Sequence, residues 1–164
     1  YAGRTLFEAA PAGSRVLVEE LVYNTTMRLD EKDFAGYLAL CDQAFKYRIT
    51  AYSPEIRKLM TWLEHDHKGM KLLFDNLPKH NSDQSMLSRH ATVYTVAFAD
   101  GGKTAEVVSG LQVYRTTNDG GVTTLFAVGK MHDKVALGDD GARLVERTIR
   151  LDTRMLGIGF HIPF

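Results

Sequence analysis

Cysteine is almost missing from this chain: Cys41 is the single one in 164 residues. A solitary thiol forms no internal disulfide, and such usage points to a reducing cytoplasm. A charge imbalance is missing too, since 20 Lys and Arg stand against 20 Asp and Glu. That balance leaves no electrostatic footprint for nucleic acid or an anionic membrane, so neither is expected as a partner. No apolar run approaches the roughly 20 residues that a membrane helix needs. The first residues lack a basic segment followed by an apolar one, so no signal peptide is read there. Glycine-rich phosphate loops and the Gly-x-Ser-x-Gly elbow are absent. So are repeats, low-complexity tracts and interior linkers, which leaves one domain over residues 14–164 behind an extension over 1–13.

What remains is an ordinary globular composition, 45% apolar and 24% charged, long enough for one sizeable core. The front half reads as mainly helical. Ser14 is placed to cap a helix to about Asp30, with Val18, Leu21, Val22, Thr25 and Leu29 on one stripe and Glu19 and Glu20 near the favourable end. Asp30 is placed to cap a short second helix that turns Phe34, Tyr37, Leu38 and Cys41 inward, the cysteine acting as a small buried apolar residue. From Phe45 to Tyr52 the period drops to two, the mark of a half-buried strand. Ser53-Pro54-Glu55 then reads as a helix start, and Ile56, Leu59, Met60, Leu63, Met70, Leu73 and Phe74 supply a third helix with its stripe.

From Ser88 onward the chain reads as an antiparallel meander. Strands are expected over 89–99, 104–117, 122–135 and 142–152, separated by Asp100-Gly101-Gly102, Asn118-Asp119-Gly120-Gly121 and Gly138-Asp139-Asp140-Gly141. Strands this long demand twist and curvature, with a bulge expected at Gly110 or Gly129. The alternating tail from Leu156 to Phe164 reads as a continuation or edge of the sheet. The fold class is therefore α+β, three helices packed on a long, curved antiparallel sheet.

Chemistry is harder to find. Glu64-His65-Asp66-His67 invites a metal reading, but on a helix residues two apart lie about 200° around the axis, so His65 and His67 diverge. Glu64 and His67 alone are too few ligands for a closed site, and the run reads as a polar helix face. His80 and His90 flank a polar loop, and His132 and His161 read as structural. A Rieske iron–sulfur centre takes two Cys and two His on one cluster, which a single cysteine excludes. A curved sheet still leaves room for an acid–base site among Asp42, Tyr37, Tyr47, Tyr94 and Asp152, although tyrosines that simply fill the core are the plainer reading.

Three helices, one early strand and a long meander resemble the nuclear-transport-factor-like (cystatin-like) cone. Within that fold, Val113-Tyr114-Arg115-Thr116, Leu125-Phe126-Ala127-Val128-Gly129-Lys130 and the run Leu144 to Asp152 resemble the small (β) subunit of Rieske-type ring-hydroxylating oxygenases. Ile158 to Phe164, Glu19-Glu20 and Tyr52-Ser53-Pro54-Glu55 fit the same pattern. The stretches Met60 to His67, Leu77 to Asp83 and Arg89 to Val96 are similar to the methanesulfonate monooxygenase small-subunit branch. The resemblance implies a non-catalytic structural subunit in an α3β3 assembly. Its catalytic α partner would carry the Rieske [2Fe-2S] cluster and the mononuclear iron, and would be served indirectly by a ferredoxin and reductase. It implies no catalytic, cofactor or metal residue in this chain. Candidate interface residues are Tyr52, Trp62, His65, His67, His80, Met86, Leu87, His90, Phe160 and Phe164. The competing readings are a stand-alone isomerase or dehydratase of the cone fold and a small-ligand-binding module. They differ from the first in requiring an open cavity with a carboxylate or histidine at its floor.

Overall fold

The computed structural model describes residues 13–80, 85–153 and 163–164, without the side chains of residues 78–80. Helices α1 (Ser14–Asp30) and α2 (Phe34–Ala39) lead into strand β1 (Cys41–Ser53). Then follow β2 (Lys58–Asp66), α3 (His67–His80), β3 (Met86–Ala99), β4 (Thr104–Thr116), β5 (Thr123–Gly138) and β6 (Gly141–Leu151). The strands form one six-stranded sheet in the order β2-β1-β6-β5-β4-β3. Consecutive strands β3 to β6 pair antiparallel as a meander. The sheet grows past β6 by taking β1 in parallel, and β2 folds back on β1 as the edge. It is curved and unclosed, with the helices packed on one face.

That packing follows from residue pattern. Val18, Leu21, Val22 and Leu29 of α1 are buried against the sheet, as are Met70, Phe74 and Leu77 of α3. Buried residues of four strands complete the core: Phe45, Tyr47, Ile49 and Ala51 of β1, Val107, Leu111 and Val113 of β4, Met131 and Val135 of β5, and Ile149 and Leu151 of β6. Phe34, Tyr37, Phe45 and Phe74 form a ring cluster at the helical layer, with Phe34 stacked on Phe74 at 4.6 Å. Cys41 is buried as expected, and its thiol donates to the Tyr37 carbonyl at 3.4 Å.

Several local expectations change. Gly13, in the left-handed region, precedes α1, and Ser14 is its first residue with no side-chain cap at the helix start. Asp33 caps α2, accepting from the Gly36 N–H at 3.0 Å. Asp30 has a longer-range task. It accepts from both the backbone N–H and the Nη1 of Arg89, the latter at 2.8 Å, while Arg89 Nη2 donates to the Pro163 carbonyl at 2.7 Å. One buried arginine thus ties α1, the edge strand β3 and the residues at 163–164 together.

The third helix is shorter than expected, because residues 58–66 are strand β2. Ser53-Pro54-Glu55 makes a turn: Ser53 ends β1, and its hydroxyl donates to the Glu55 carboxylate instead of capping a helix. The apolar residues Leu59, Met60 and Leu63 fit either period, and pairing with β1 decides for the strand.

Neither Gly110 nor Gly129 marks a bulge. The register slips at Ile49/Thr50, Val93/Thr95, Val113/Tyr114 and Lys134/Val135. The glycines serve close approach instead. A Cβ at Gly129 would strike the Arg150 carbonyl oxygen, and one at Gly110 would strike the Tyr94 hydroxyl. The extension over 1–12 and the tail over 154–162, with Phe160 and His161, lie outside the described residues.

Candidate functional site

The inner face of the sheet holds the most demanding chemistry. Asp133 of β5 and Arg147 of β6 are register partners, and both side chains are fully buried. They meet as a fork, Nε to Oδ1 at 2.9 Å and Nη2 to Oδ2 at 3.0 Å. Tyr47 is the register partner of Arg147 on its other side, and His65 is the partner of Tyr47. Tyr37 packs above from α2. The row His65–Tyr47–Arg147–Asp133 therefore crosses the interior of the cone.

Burial sets the ionisation here. It pushes the Tyr37 hydroxyl well above its ordinary range, against the pull of the Arg147 cation. Tyr47 is raised for the same first reason, and its hydroxyl is tied to Phe164, accepting from the backbone N–H at 2.7 Å. Burial drives the Cys41 thiol up to about 12. Burial works against the Arg147 cation, and Asp133 together with Tyr37 and Tyr47 more than offsets it, so the guanidinium stays charged. All three acidic groups are thus held neutral at physiological pH. At the centre the cation and the carboxylate are joined by two hydrogen bonds, while Arg147 Nη1 and the Tyr37 hydroxyl are buried with no hydrogen-bond partner.

Of the acid–base candidates, Tyr37 and Tyr47 are inside, whereas Tyr94 is 54% exposed on the outer face. Asp42 is half-buried and accepts from the Ala44 N–H, and Asp152 is exposed. The interior carboxylate is Asp133, which the sequence reading missed. The signal was present: Asp133 falls in phase with the buried Met131 and Val135. Arg147 was masked by the slip that displaces Val145 from the β6 alternation.

The Glu64-His65-Asp66-His67 run spans a strand end and a helix start. Glu64 faces outward, 3.6 Å from Arg48. His65 faces inward and is half-buried. Asp66 accepts from the Gly69 N–H at 2.7 Å at the start of α3, and His67 is the first residue of that helix. Gly69 leaves room for the His65 ring. Among the described residues no three His, Cys, Asp or Glu side chains converge on a point.

The rim of the molecule is different. Tyr52, Ile56, Leu59, Met60 and Trp62 are all 41–57% exposed around the β1–β2 hairpin, the last three on edge strand β2. Trp62 is the residue bulged out of register there. Ile56, Leu59 and Met60 are absent from the expected interface because a helical stripe assigns them to the core. Met86 is exposed, while its neighbour Leu87 is partly buried against the core. His90 is exposed on the outer face, edge-on to Tyr114 at 5.3 Å. Phe164 is buried within this chain, so its ring is not offered to a partner as expected. His80 ends α3, with its side chain outside the described set.

Residues 25–157 match the family described as ring hydroxylating beta subunit. The chain belongs to that family. It is 40% identical to the methanesulfonate monooxygenase hydroxylase subunit beta of Methylosulfonomonas methylovora, over 89% of this chain and 84% of that protein. It is 30% identical to the 2-aminobenzenesulfonate 2,3-dioxygenase subunit beta of Alcaligenes sp, over 90% and 97%. The β subunit of an aromatic-ring-hydroxylating dioxygenase from Novosphingobium aromaticivorans superposes with a TM-score of 0.78 at 18% identity, covering 91% of this chain and 95% of that one. The cone expected from the sequence is the fold of this β subunit, and the family resemblance read there holds, including its methanesulfonate branch. It serves as a subunit of an oxygenase, and the stand-alone isomerase reading is not favoured. No helix among its described residues is long and apolar enough to cross a membrane.

Proposed function

We propose that this β subunit is non-catalytic and structural, assembling with a catalytic α subunit as α3β3 in the terminal hydroxylase of a system that oxidises a small sulfonate. The observation that carries the reading is how the interior groups are engaged. Tyr37, Tyr47, Asp133 and Arg147 are all buried, Asp133 and Arg147 hold each other as a fork, and Tyr47 is bonded to Phe164. The Rieske cluster and the mononuclear iron are assigned to the α subunit, and a ferredoxin and reductase supply its electrons. A single cysteine in this chain supports the first assignment. Both curated relatives are named for sulfonate-oxidising systems, which supports the substrate class.

The exposed apolar corner at Tyr52, Ile56, Leu59, Met60 and Trp62 gives this subunit a contact surface. Leu59, Met60 and Trp62 lie on the edge strand β2, whose outer side has no strand partner, and exposed apolar residues there are a liability unless covered. Co-expression with its genomic neighbours, followed by sizing and native mass measurement, tests the reading. The wild-type chain is expected in a hetero-oligomer with equal numbers of two subunits, consuming oxygen with methanesulfonate when reduced. Trp62→Asp is expected to weaken assembly by at least about tenfold. A lone monomer off the column, or iron and turnover in this chain purified alone, overturns the proposal.

A further inference from the structure

The outer face of the sheet handles charge in two ways. One row across it alternates in sign: Asp66, Lys46, Glu146, Lys134 and Glu106 are successive register partners from β2 to β4. Lys134 lies 3.8 Å from Glu146, and in the next row Arg48 lies 3.6 Å from Glu64. A groove of about 310 Å³ runs between these side chains, over the backbone of Tyr47, His65 and Arg147.

Four residues along, the alternation breaks. Lys130 and Arg150 stand directly opposite each other, both exposed, with Thr50 beyond one and Gly110 beyond the other. Like charges at directly opposed positions repel. Neither makes an ion pair among the described residues, and that includes Asp152, two residues past Arg150. His132, one outward position along β5, has its pKa lowered by burial and then by the positive charge of Arg150 and Lys130. Beside the pair, the absent Gly110 side chain lets Tyr94 lie across the sheet, and His90 and Tyr114 continue the strip. Exposed Tyr94 beside the cationic pair, with half-buried Tyr114 farther along, adds aromatic and arginine side chains of the kind that interfaces favour.

We infer that this strip, from Arg150 and Lys130 through Tyr94 to His90, is a second docking surface, taking a carboxylate-bearing segment of the companion α subunit between Lys130 and Arg150. The inference rests on the subunit reading above and adds to it the chemistry of the partner's contact. A carboxylate seated between the two cations turns their repulsion into two attractions. On the isolated chain the repulsion is tolerated because water and salt screen it.

Lys130→Glu tests this, because it separates assembly from folding. The introduced carboxylate would face Arg150 as an opposite charge, so the variant chain is expected to melt no lower than wild type. In the co-expressed complex the same change is expected to weaken association at least about tenfold and to flatten its dependence on salt. Lys134→Glu, in the compensated row, is expected to weaken association less than Lys130→Glu. Wild-type affinity and salt slope in both Lys130→Glu and the Lys130→Glu/Arg150→Glu pair overturn the inference while leaving the subunit reading intact. So does sub-millimolar binding of inorganic phosphate at these residues, which would make the strip a free-anion site. Salt-sensitive self-association of the wild-type chain that Lys130→Glu abolishes overturns it too, making the occupant a second copy. Failure of wild type to co-assemble overturns both readings together.

Discussion

Among the charged pairs that strands β5 and β6 bring face to face, two are opposite in kind. On the inner face Asp133 meets Arg147, fully buried and doubly bonded. On the outer face Lys130 meets Arg150, exposed and unpaired among the described residues. An interior charge has no solvent to fall back on, so its partner must be built into the same chain. A surface charge is hydrated, so its mismatch costs little until another surface arrives. The comparison separates what this subunit needs in order to fold from what it keeps available for a partner.

The interior side of the comparison is most exposed to test at Asp133. Asp133→Asn leaves Arg147 as an uncompensated buried cation and is expected to cost about 3–5 kcal/mol. Removing an outer charge by Lys134→Ala is expected to stay within about 0.5 kcal/mol. Urea unfolding of both variants checks this, and equal costs would break the distinction between the faces.

Glycine gives a second contrast of smaller size. Gly129→Ala drives a methyl into the Arg150 carbonyl and to 3.0 Å from the Leu151 Cα, both backbone and neither free to yield. The expected loss is about 1–3 kcal/mol, read as a fall of roughly 2–4 °C in Tm per kcal/mol. Gly110→Ala meets only the outer end of the exposed Tyr94 side chain, which can swing away. Its Tm is expected close to wild type, and a Gly110→Ala chain that melts as low as Gly129→Ala would show that Tyr94 is held as rigidly as backbone.

The smallest expected effect is in alkaline solution. Burial raises the Cys41 thiol from an ordinary 9.0 to about 12, so above pH 9 the unfolded chain releases a proton that the folded chain retains. Stability from this group is whole below pH 9 and is lost as pH climbs toward 12. Near pH 10 the loss is about 1 kcal/mol. Cys41→Ala is expected to flatten that limb of a stability-versus-pH curve, and an unchanged slope would place the titration elsewhere.

Much of this was legible from residues alone. The meander and the first helix followed from period and turn chemistry, which act over a few residues, and the cone class from the resemblance that this order of elements carries. Trp62 was legible as an exposed aromatic, though not as a bulge. The region 56–66 was misread because Leu59, Met60 and Leu63 satisfy a helical stripe and an edge strand alike.

Local sequence by itself therefore determined most of the elements, though not β2, and the inventory of chemical groups. Tertiary structure alone decided that β1 inserts between β2 and β6, that Asp133 finds Arg147, and that Lys130 is left facing Arg150. Each of these is a register between strands, set by packing the whole sheet against its helices. A slip of one residue would exchange the two faces, so no short window of sequence contains the answer.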